Sequence, residues 1–469
     1  MGQQNKPVPV IAIFDVGKTN KKLFLFDEQY HIVFERTARF TETVDEDGDP
    51  CENLESLRLS IFDSLREVFK NPKFEVKSIN FTTYGASLVY IDKDGQPLAP
   101  LYNYLKPYPE ELKHQFYAKY GGEESFANTT ASPVLGSLNS GLQLYRIKQE
   151  KPELFEQIKY ALHLPQYLSY LISGAVYSDL TSIGCHTALW DFEKQDYHKW
   201  VKAEGILDKL APVAPSDHVM PAAFPGNNYA VGIGFHDSSA ALIPYLINFQ
   251  EPFILLSTGT WCISMNPFNS DPLTVDELKN DCLCYLQFEG KPVKASRVFA
   301  GYEHEQQIKR IAAHFGGDVI SYRNAVFDPG IIELLRKNPE PDDEPKVEPS
   351  SGTINESLFS KRKLSDYATD LIAYHQLMLD LIAQQYHATQ MVLKGTTVKR
   401  IFVDGGFSKN AIFMNLLSAA FPELEVFAAS MAQATAVGAA LAIHKSWNSK
   451  ALPNDIIQLK FYSAAQHHY

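Results

Sequence analysis

The sequence predicts an α/β protein in which one architecture is used twice. Each half opens on the same pattern, an apolar strand, a polar turn and a second strand, and in each half helical periodicity follows. Each half also sets an aspartate at a strand end, Asp15 in the first turn and Asp237 after the glycine-spaced run 231–235. A chain of 469 residues is too long for one core, and a prior of roughly 150 residues per domain suggests two domains or three. The expected division is 1–235 and 236–469.

In the first half, residues 10–14 read as a strand, 15–22 as a polar turn and 23–26 as the returning strand. Residues 34–40 form a further strand, and Leu54, Leu57, Ile61, Leu65 and Phe69 recur at helical spacing over 53–70. A strand at 78–82 runs into Thr83, Tyr84 and Gly85, and 88–91 with the turn Asp92-Lys93-Asp94-Gly95 is a hairpin signal. Helical patterns follow at 139–149 and at 165–172, the latter stopped by Gly174. Residues 179–182 are polar and turn-like, and His186 beside them fits a structural histidine better than a base.

The run 231–235 reads as a buried strand that delivers Asp237 to its end. The small residues after it, Ser238 to Ala241, suit a helix start whose amides and positive dipole end attract negative charge. The strand 253–256 leads into Ser257-Thr258-Gly259-Thr260, a turn of hydroxyls and glycine able to wrap phosphate oxygens, before 261–263 resumes a strand. Neither this turn nor the first has the glycine-bracketed loop ending in Gly-Lys-Ser/Thr of a P-loop. Residues 338–351, with four prolines and five acids, read as a solvated loop. A long helix is expected over 364–394 with Ser365 or Asp366 near its cap, then a strand at 398–403 ending in Asp404-Gly405-Gly406. The small-residue segment 432–440 suits a closely packed helix.

A hydrophobic share of 45% with 21% charged residues is that of an ordinary soluble globular protein. A formal charge of −12 argues against nucleic-acid or membrane-surface partners, which call for a basic face. The five cysteines are odd in number and scattered, so reduced thiols and a cytoplasmic location are expected. Cys282-x-Cys284 fits an alternating strand better than a metal site. No apolar run reaches the roughly 18 residues of a spanning helix, the N-terminus lacks a signal-peptide pattern, and Lys6 stands where myristoylation would want Ser or Thr.

Taken in order, Asp15-x-Gly17-x-Thr19-Asn20-x-Lys22, Thr83-Tyr84-Gly85, Gly234-x-His236-Asp237, Ser257-Thr258-Gly259-Thr260-Trp261 and Gly405-Gly406-x-Ser408-Lys409-Asn410 resemble the FGGY carbohydrate kinases over nearly the whole chain. Within that family the Thr83-Tyr84-Gly85 segment, Thr19-Asn20 and the His236-Asp237 pair are most similar to the L-fuculose and L-rhamnulose kinases. The resemblance implies two ribonuclease-H-like domains of the actin and hexokinase type with a cleft between them. It implies phosphoryl transfer from ATP to a hydroxyl of a ketose, O1 of a 6-deoxy-L-ketohexose by best match. Asp237 is then the base and Asp15 the Mg²⁺ residue, while Gly17, Thr19, Asn20, Lys22, Thr258, Gly259 and Thr260 hold phosphates. Gly405, Gly406 and Asn410 meet the adenosine, and Thr83, Tyr84, Gly85 and His236 meet the sugar. The implied partners are the sugar and ATP, with a monomer or homodimer as the assembly.

Three positions depart from the family pattern. Tyr102-Asn103-Tyr104-Leu105-Lys106 stands where many members carry Trp-x-Asp-x-Arg, Phe407 replaces a glycine of the adenosine loop, and Gln433 occupies a frequent glutamate position. The tyrosines 102, 104 and 108 are expected to give the sugar pocket apolar walls with little charge. The alternatives are a pentulose kinase of the D-xylulose or L-ribulose type, an actin- or chaperone-like ATPase switch, and a sugar-binding pseudoenzyme.

Overall fold

The computed structural model describes residues 6–18, 21–38, 41–226, 228–337, 357–431 and 433–463, with Arg323 by its backbone alone. The chain folds into two compact units, each drawn from separate stretches. The first comprises Met1–Asn248, Cys284–Pro292 and Ala432–Ile456, the second Phe249–Leu283, Val293–Met431 and Ile457–Tyr469.

In the first unit the strand Val8–Val16 runs antiparallel to Lys21–Asp27, which pairs in turn with Ile32–Ala38. On its other side it lies parallel to Phe74–Thr83, which carries both Ala230–Gly232 and Phe235–His236 as parallel neighbours, and Val219–Pro221 closes the edge antiparallel. The helix Leu54–Lys70, capped by Asn53, lays Leu57, Ile61, Leu65 and Val68 on the same core as Val10, Ala12 and Ile79. Its apolar residues recur every three or four positions, so one stripe is buried and the acids and bases face water. A second apolar cluster in this unit gathers around Phe116, Tyr145 and Trp200.

The second unit repeats the pattern. Phe253–Thr258 runs antiparallel to Cys262–Asn266, which pairs with Pro292–Val298, and lies parallel to Arg400–Gly405. Arg400–Gly405 is parallel to Glu425–Ser430, and Gln458–Tyr462 closes that edge antiparallel. A three-strand meander followed by parallel strands on the other side thus occurs twice, as the two opening hairpins predict. The helix Asp370–Leu393 covers this sheet and buries Ala373, Tyr374, Leu377 and Leu381.

Several expectations are corrected. The run 231–235 is two short strands rather than one, because Gly234 takes φ +86° between them and packs against the Pro165 carbonyl, where a Cβ would come within 2.7 Å of the oxygen. The hairpin expected at 88–95 forms, with the Gly95 amide donating to the Asp92 carbonyl at 3.1 Å, the Asp92 amide to the Gln96 carbonyl at 3.0 Å and the Leu98 amide to the Tyr90 carbonyl at 2.8 Å, while Leu88–Ile91 also pairs antiparallel with Tyr160–His163, a partner the sequence did not indicate. Asp179 opens a helical turn, Leu180–Ile183, by accepting from the Thr181 amide at 2.8 Å. The long helix starts at Asp370 with Thr369 as its cap, and Ser365 and Asp366 lie in a separate turn, Leu364–Asp366. The expected boundary at 235 falls before the helix Asp237–Asn248, which belongs to the first unit with the helix Ala434–Ala442. These two helices meet so closely that a Cβ on Gly438 would come within 1.8 Å of the Ala240 carbonyl oxygen. The acidic loop 338–351 lies outside the described residues.

Candidate active site

Asp237 is the first residue of the helix Asp237–Asn248 and follows directly on the strand Phe235–His236. Its Oδ1 accepts from the Ser238 amide at 2.6 Å and from the Ser238 hydroxyl at 3.2 Å. Burial pushes its pKa up to about 6. Asp15 lies at the C-terminal end of Val8–Val16, in register with Lys22 and with Thr82. Its pKa rises to about 7, first through burial and second through the negative charge of Asp237, and Lys22 offsets only part of this. Lys22 itself pairs with Glu35 at 2.7 Å. A buried carboxylate whose proton affinity is raised further by the charge of a second one is an oxygen donor short of positive charge, the chemistry that suits a hard divalent cation.

Thr83 is fully buried and donates to the Tyr84 carbonyl at 2.8 Å. Tyr84 donates its hydroxyl to Glu52 at 2.9 Å, and Lys18 and Lys21 approach the same carboxylate at 3.5 and 3.3 Å. Tyr84 meets Tyr104 edge to face, with the Lys18 ammonium 5.3 and 5.4 Å from the two ring centres. Burial, with the negative charge of Asp237 as second cause, raises the pKa of Tyr104. Gly85 has no side chain because Cys185 Sγ would lie 2.4 Å from a Cβ there and the His236 ring 3.2 Å away. His236 is buried, with Nδ1 3.3 Å from the Ser239 hydroxyl and Nε2 3.1 Å from Cys185 Sγ and 3.2 Å from Asp237 Oδ1. Burial pushes its pKa down to about 3, so the ring is neutral.

The three tyrosines of the 102–108 segment do not act together. Tyr108 donates to the Leu142 carbonyl inside the helical cluster, and Tyr102 donates to Glu46 at 2.5 Å beside Lys151. Tyr104 meets the Tyr84 ring and the Lys18 ammonium. The site is not short of charge either, since Lys18, Lys21 and Glu52 border it. Lys106 lies 2.5, 2.7 and 3.3 Å from Asp45, Asp47 and Asp49 and pins that turn to the segment.

In the second unit the turn after Phe253–Thr258 leaves Gly259 and Thr260 exposed. The Thr258 hydroxyl donates to the Asp404 carbonyl at 2.5 Å and accepts from the Phe407 amide at 3.0 Å, tying the turn to the glycine loop. Gly405 takes φ +91° with no space for a side chain, as a Cβ would come within 1.9 Å of the Thr258 carbonyl oxygen, whereas Gly406 has nothing closer than 4.0 Å. The Asn410 side chain accepts from the Phe413 amide and donates to Tyr374, so it caps the helix Ala411–Ala420.

The structure thus brings Asp15, Thr83, Tyr84, Gly85, His236 and Asp237 to or just past the carboxyl ends of strands in the first unit, with Lys22 opposite Asp15 at the amino end of Lys21–Asp27. Thr258, Gly259, Thr260, Gly405, Gly406 and Asn410 gather in the second. Gly17 follows Val8–Val16 directly, and Thr19 and Asn20 lie outside the described residues. Sequence reasoning missed Glu52, which anchors Tyr84, and Cys185. It also missed Asp179 with Thr181, whose hydroxyl donates to Asp179 and accepts from the His236 amide at 3.0 Å. All four lie far in sequence from the residues they support, and only an acid or thiol among apolar neighbours could have flagged them.

Comparison with known proteins places this geometry. The model of the FGGY family of carbohydrate kinases, N-terminal domain, matches residues 10–237, and that of the carbohydrate kinase FGGY C-terminal domain matches 250–451. A rhamnulokinase of Mannheimia succiniciproducens is 24% identical over 265 residues, 54% of this chain and 52% of that protein. The chain spans about half the length of the curated relatives it matches. Among solved structures, a carbohydrate kinase from Novosphingobium aromaticivorans has a TM-score of 0.75 at 23% identity, covering 97% of this chain and 94% of that one. A ligand-bound xylulose kinase from Lactobacillus acidophilus has a TM-score of 0.77 at 15% identity, covering 98% and 95%.

Proposed function

The chain belongs to the FGGY family of carbohydrate kinases, and on that premise we propose that it transfers the terminal phosphoryl group of ATP to a hydroxyl of a sugar. The observation that carries this reading is Asp237, a carboxylate at a strand end beside Asp15 whose pKa of about 6 makes it basic enough to take a proton and mostly ionised at neutral pH. The sugar hydroxyl gives its proton to Asp237 as its oxygen bonds to phosphorus, and the bond from phosphorus to the ADP oxygen breaks with that electron pair leaving on ADP. Such a transfer depends on alignment and charge neutralisation more than on covalent help. Asp15 would hold Mg²⁺, which supplies neutralising charge to the phosphates when bound. Lys22, Gly17, Thr19 and Asn20 with the exposed turn Gly259-Thr260 would bind phosphate oxygens, and the open backbone at Gly406 would face the adenosine. Asn410 contributes by capping the helix behind that loop. Tyr84, Tyr104 and Gly85 would border the sugar.

For the sugar itself we propose a 6-deoxy-L-ketohexose, L-fuculose or L-rhamnulose, phosphorylated at O1. The half-length likeness to a rhamnulokinase supports this, as do the rings of Tyr84 and Tyr104, which can accept a methyl without stranding a polar group. The reaction belongs in the cytoplasm, where ATP is supplied and the five buried thiols stay reduced. A coupled ADP-release screen over L-fuculose, L-rhamnulose, D-xylulose, L-ribulose, L-xylulose and glycerol tests both levels. A deoxyketose should lead by a modest factor, since a methyl in an apolar site is worth about 1–3 kcal/mol. A pentulose in the lead would overturn the sugar and keep the kinase, and ADP release without phosphorylated sugar would overturn both.

A further inference from the structure

The strand Phe74–Thr83 carries one of its parallel neighbours in two pieces, and the pieces are out of step. Ala230 and Val231 lie opposite Ser78 and Ile79, whereas Phe235 and His236 lie opposite Thr82 and Thr83. Gly232, Ile233 and Gly234 therefore stand against only Asn80 and Phe81, a bulge of one extra residue just before the helix that opens on Asp237. An unbroken ladder would set Phe235 against Thr83 and carry Asp237 about 3.3 Å further along, the rise of one strand residue.

Buried side chains take up backbone groups that the bulge removes from the ladder. Oδ1 of Asn80 accepts from the Gly234 amide at 3.1 Å and from the Phe81 amide at 2.9 Å, and its Nδ2 donates to the Ala439 carbonyl at 2.9 Å. Backbone amides can only donate and a carbonyl can only accept, so these three bonds allow the Asn80 amide one orientation. From the helix Leu164–Ser173, Ser169 donates to the Gly232 carbonyl at 2.7 Å and Gln166 to the Gly234 carbonyl at 2.9 Å. Ala439 lies in the last turn of Ala434–Ala442, where carbonyls have no partner within the helix. Asparagine is disfavoured in strands, yet Asn80 is fully buried in one. Gly232 leaves room for it, because a Cβ there would come within 2.5 Å of the Asn80 amide oxygen.

Resting on the reading of Asp237 as the base, we propose that Asn80 is a positioning residue that pins this bulge. Its grip on the Gly234 amide sets the register of Phe235–His236, and so the point at which Asp237 leaves the sheet. Its bond to Ala439 ties that register to the helix Ala434–Ala442, which packs along Asp237–Asn248.

The test uses the full chain with Asn80→Ala, Asn80→Leu and Gly232→Ala, the last displacing the Asn80 side chain from the neighbouring strand. Hydrogen exchange read by mass spectrometry needs no turnover. In the unaltered protein residues 230–237 should exchange as slowly as 74–83, and rapid exchange there overturns the proposal. In each variant 230–237 and 434–442 should exchange at least about tenfold faster, with 8–16 and 21–27 unchanged. With ATP and whichever ketose leads the ADP-release screen, kcat should fall at least about tenfold, since a misplacement of about 1 Å can cost about a hundredfold. KM for ATP should stay within about twofold, because the nucleotide's contacts are untouched. Faster exchange across the whole first unit with kcat per folded molecule unchanged means a packing role and overturns the proposal, as does a Gly232→Ala enzyme with full kcat. Failure of all three variants to fold would make Asn80 a folding residue and overturn it too. If no sugar is phosphorylated, the kinase reading fails, while the exchange pattern still judges the bulge.

Discussion

Asp237 and Asp15 share a neighbourhood and answer to pH in related ways. With the base at about 6, kcat/KM for the sugar should rise as pH climbs through that value and level off above it, and a profile flat from pH 5 to 8 would contradict the assignment. Asp237→Asn should lose at least ~10²-fold in turnover with ATP binding intact, checked by steady-state kinetics beside nucleotide titration. Asp15 adds a stability effect. Its folded pKa of about 7 exceeds the ordinary 3.8, so the folded state holds the proton more tightly than the unfolded chain. The associated stability is complete below about pH 4 and is lost as pH rises toward 7. Asp15→Asn should therefore raise the melting temperature at pH 8 in chelator-free, metal-free buffer, with little change at pH 4, and lose the dependence of activity on Mg²⁺. Equal melting temperatures at pH 8 would show that the carboxylate costs the fold nothing. The aspartates were legible because each follows an apolar run into a polar turn. Glu52 and Cys185 were not, since nothing local distinguishes an acid that anchors a tyrosine from one in water, or a thiol on an imidazole from core.

The helix Asp237–Asn248 carries Asp237, the proposed base, and packs against its neighbour Ala434–Ala442. Gly438→Ala would place a methyl 1.8 Å from the Ala240 carbonyl, backbone against backbone, where no rotamer change relieves it. A cost of about 1–3 kcal/mol is expected from such overpacking, together with a fall in turnover, because the helix must move and Asp237 moves with it. Thermal melting and kinetics would check the pair, and normal turnover in a destabilised variant would separate this contact from the base. The sequence signalled close packing through its run of small residues at 434–440 but not the partner helix, which lies nearly two hundred positions earlier. Strands and helices with strong periodicity were readable throughout. What failed depended on tertiary pairing, as where Leu88–Ile91 takes Tyr160–His163 as a second neighbour beside its hairpin partner.

Across the whole molecule, the repeated meander was legible from its two opening hairpins, and the family models meet between 237 and 250, close to the expected cut at 235, whereas the compact units interleave the chain. The first unit takes in Cys284–Pro292 and Ala432–Ile456 as well as Met1–Asn248. A fragment of residues 1–248 lacks the helix that carries Gly438 and exposes the face of Asp237–Asn248 it covers. It should show helical circular dichroism without a cooperative melt or dispersed amide signals, and a sharp melt would show that the inserted stretches are dispensable.

The interleaving also sets an order of events during synthesis. About 180 residues separate Asn248 from the helix that packs on Asp237–Asn248. At roughly 5–20 residues per second, that apolar face waits on the order of ten seconds or more after leaving the ribosome. The half translated first is thus among the last parts of the chain to be finished, and for that interval the nascent protein presents the surface that a holding chaperone binds.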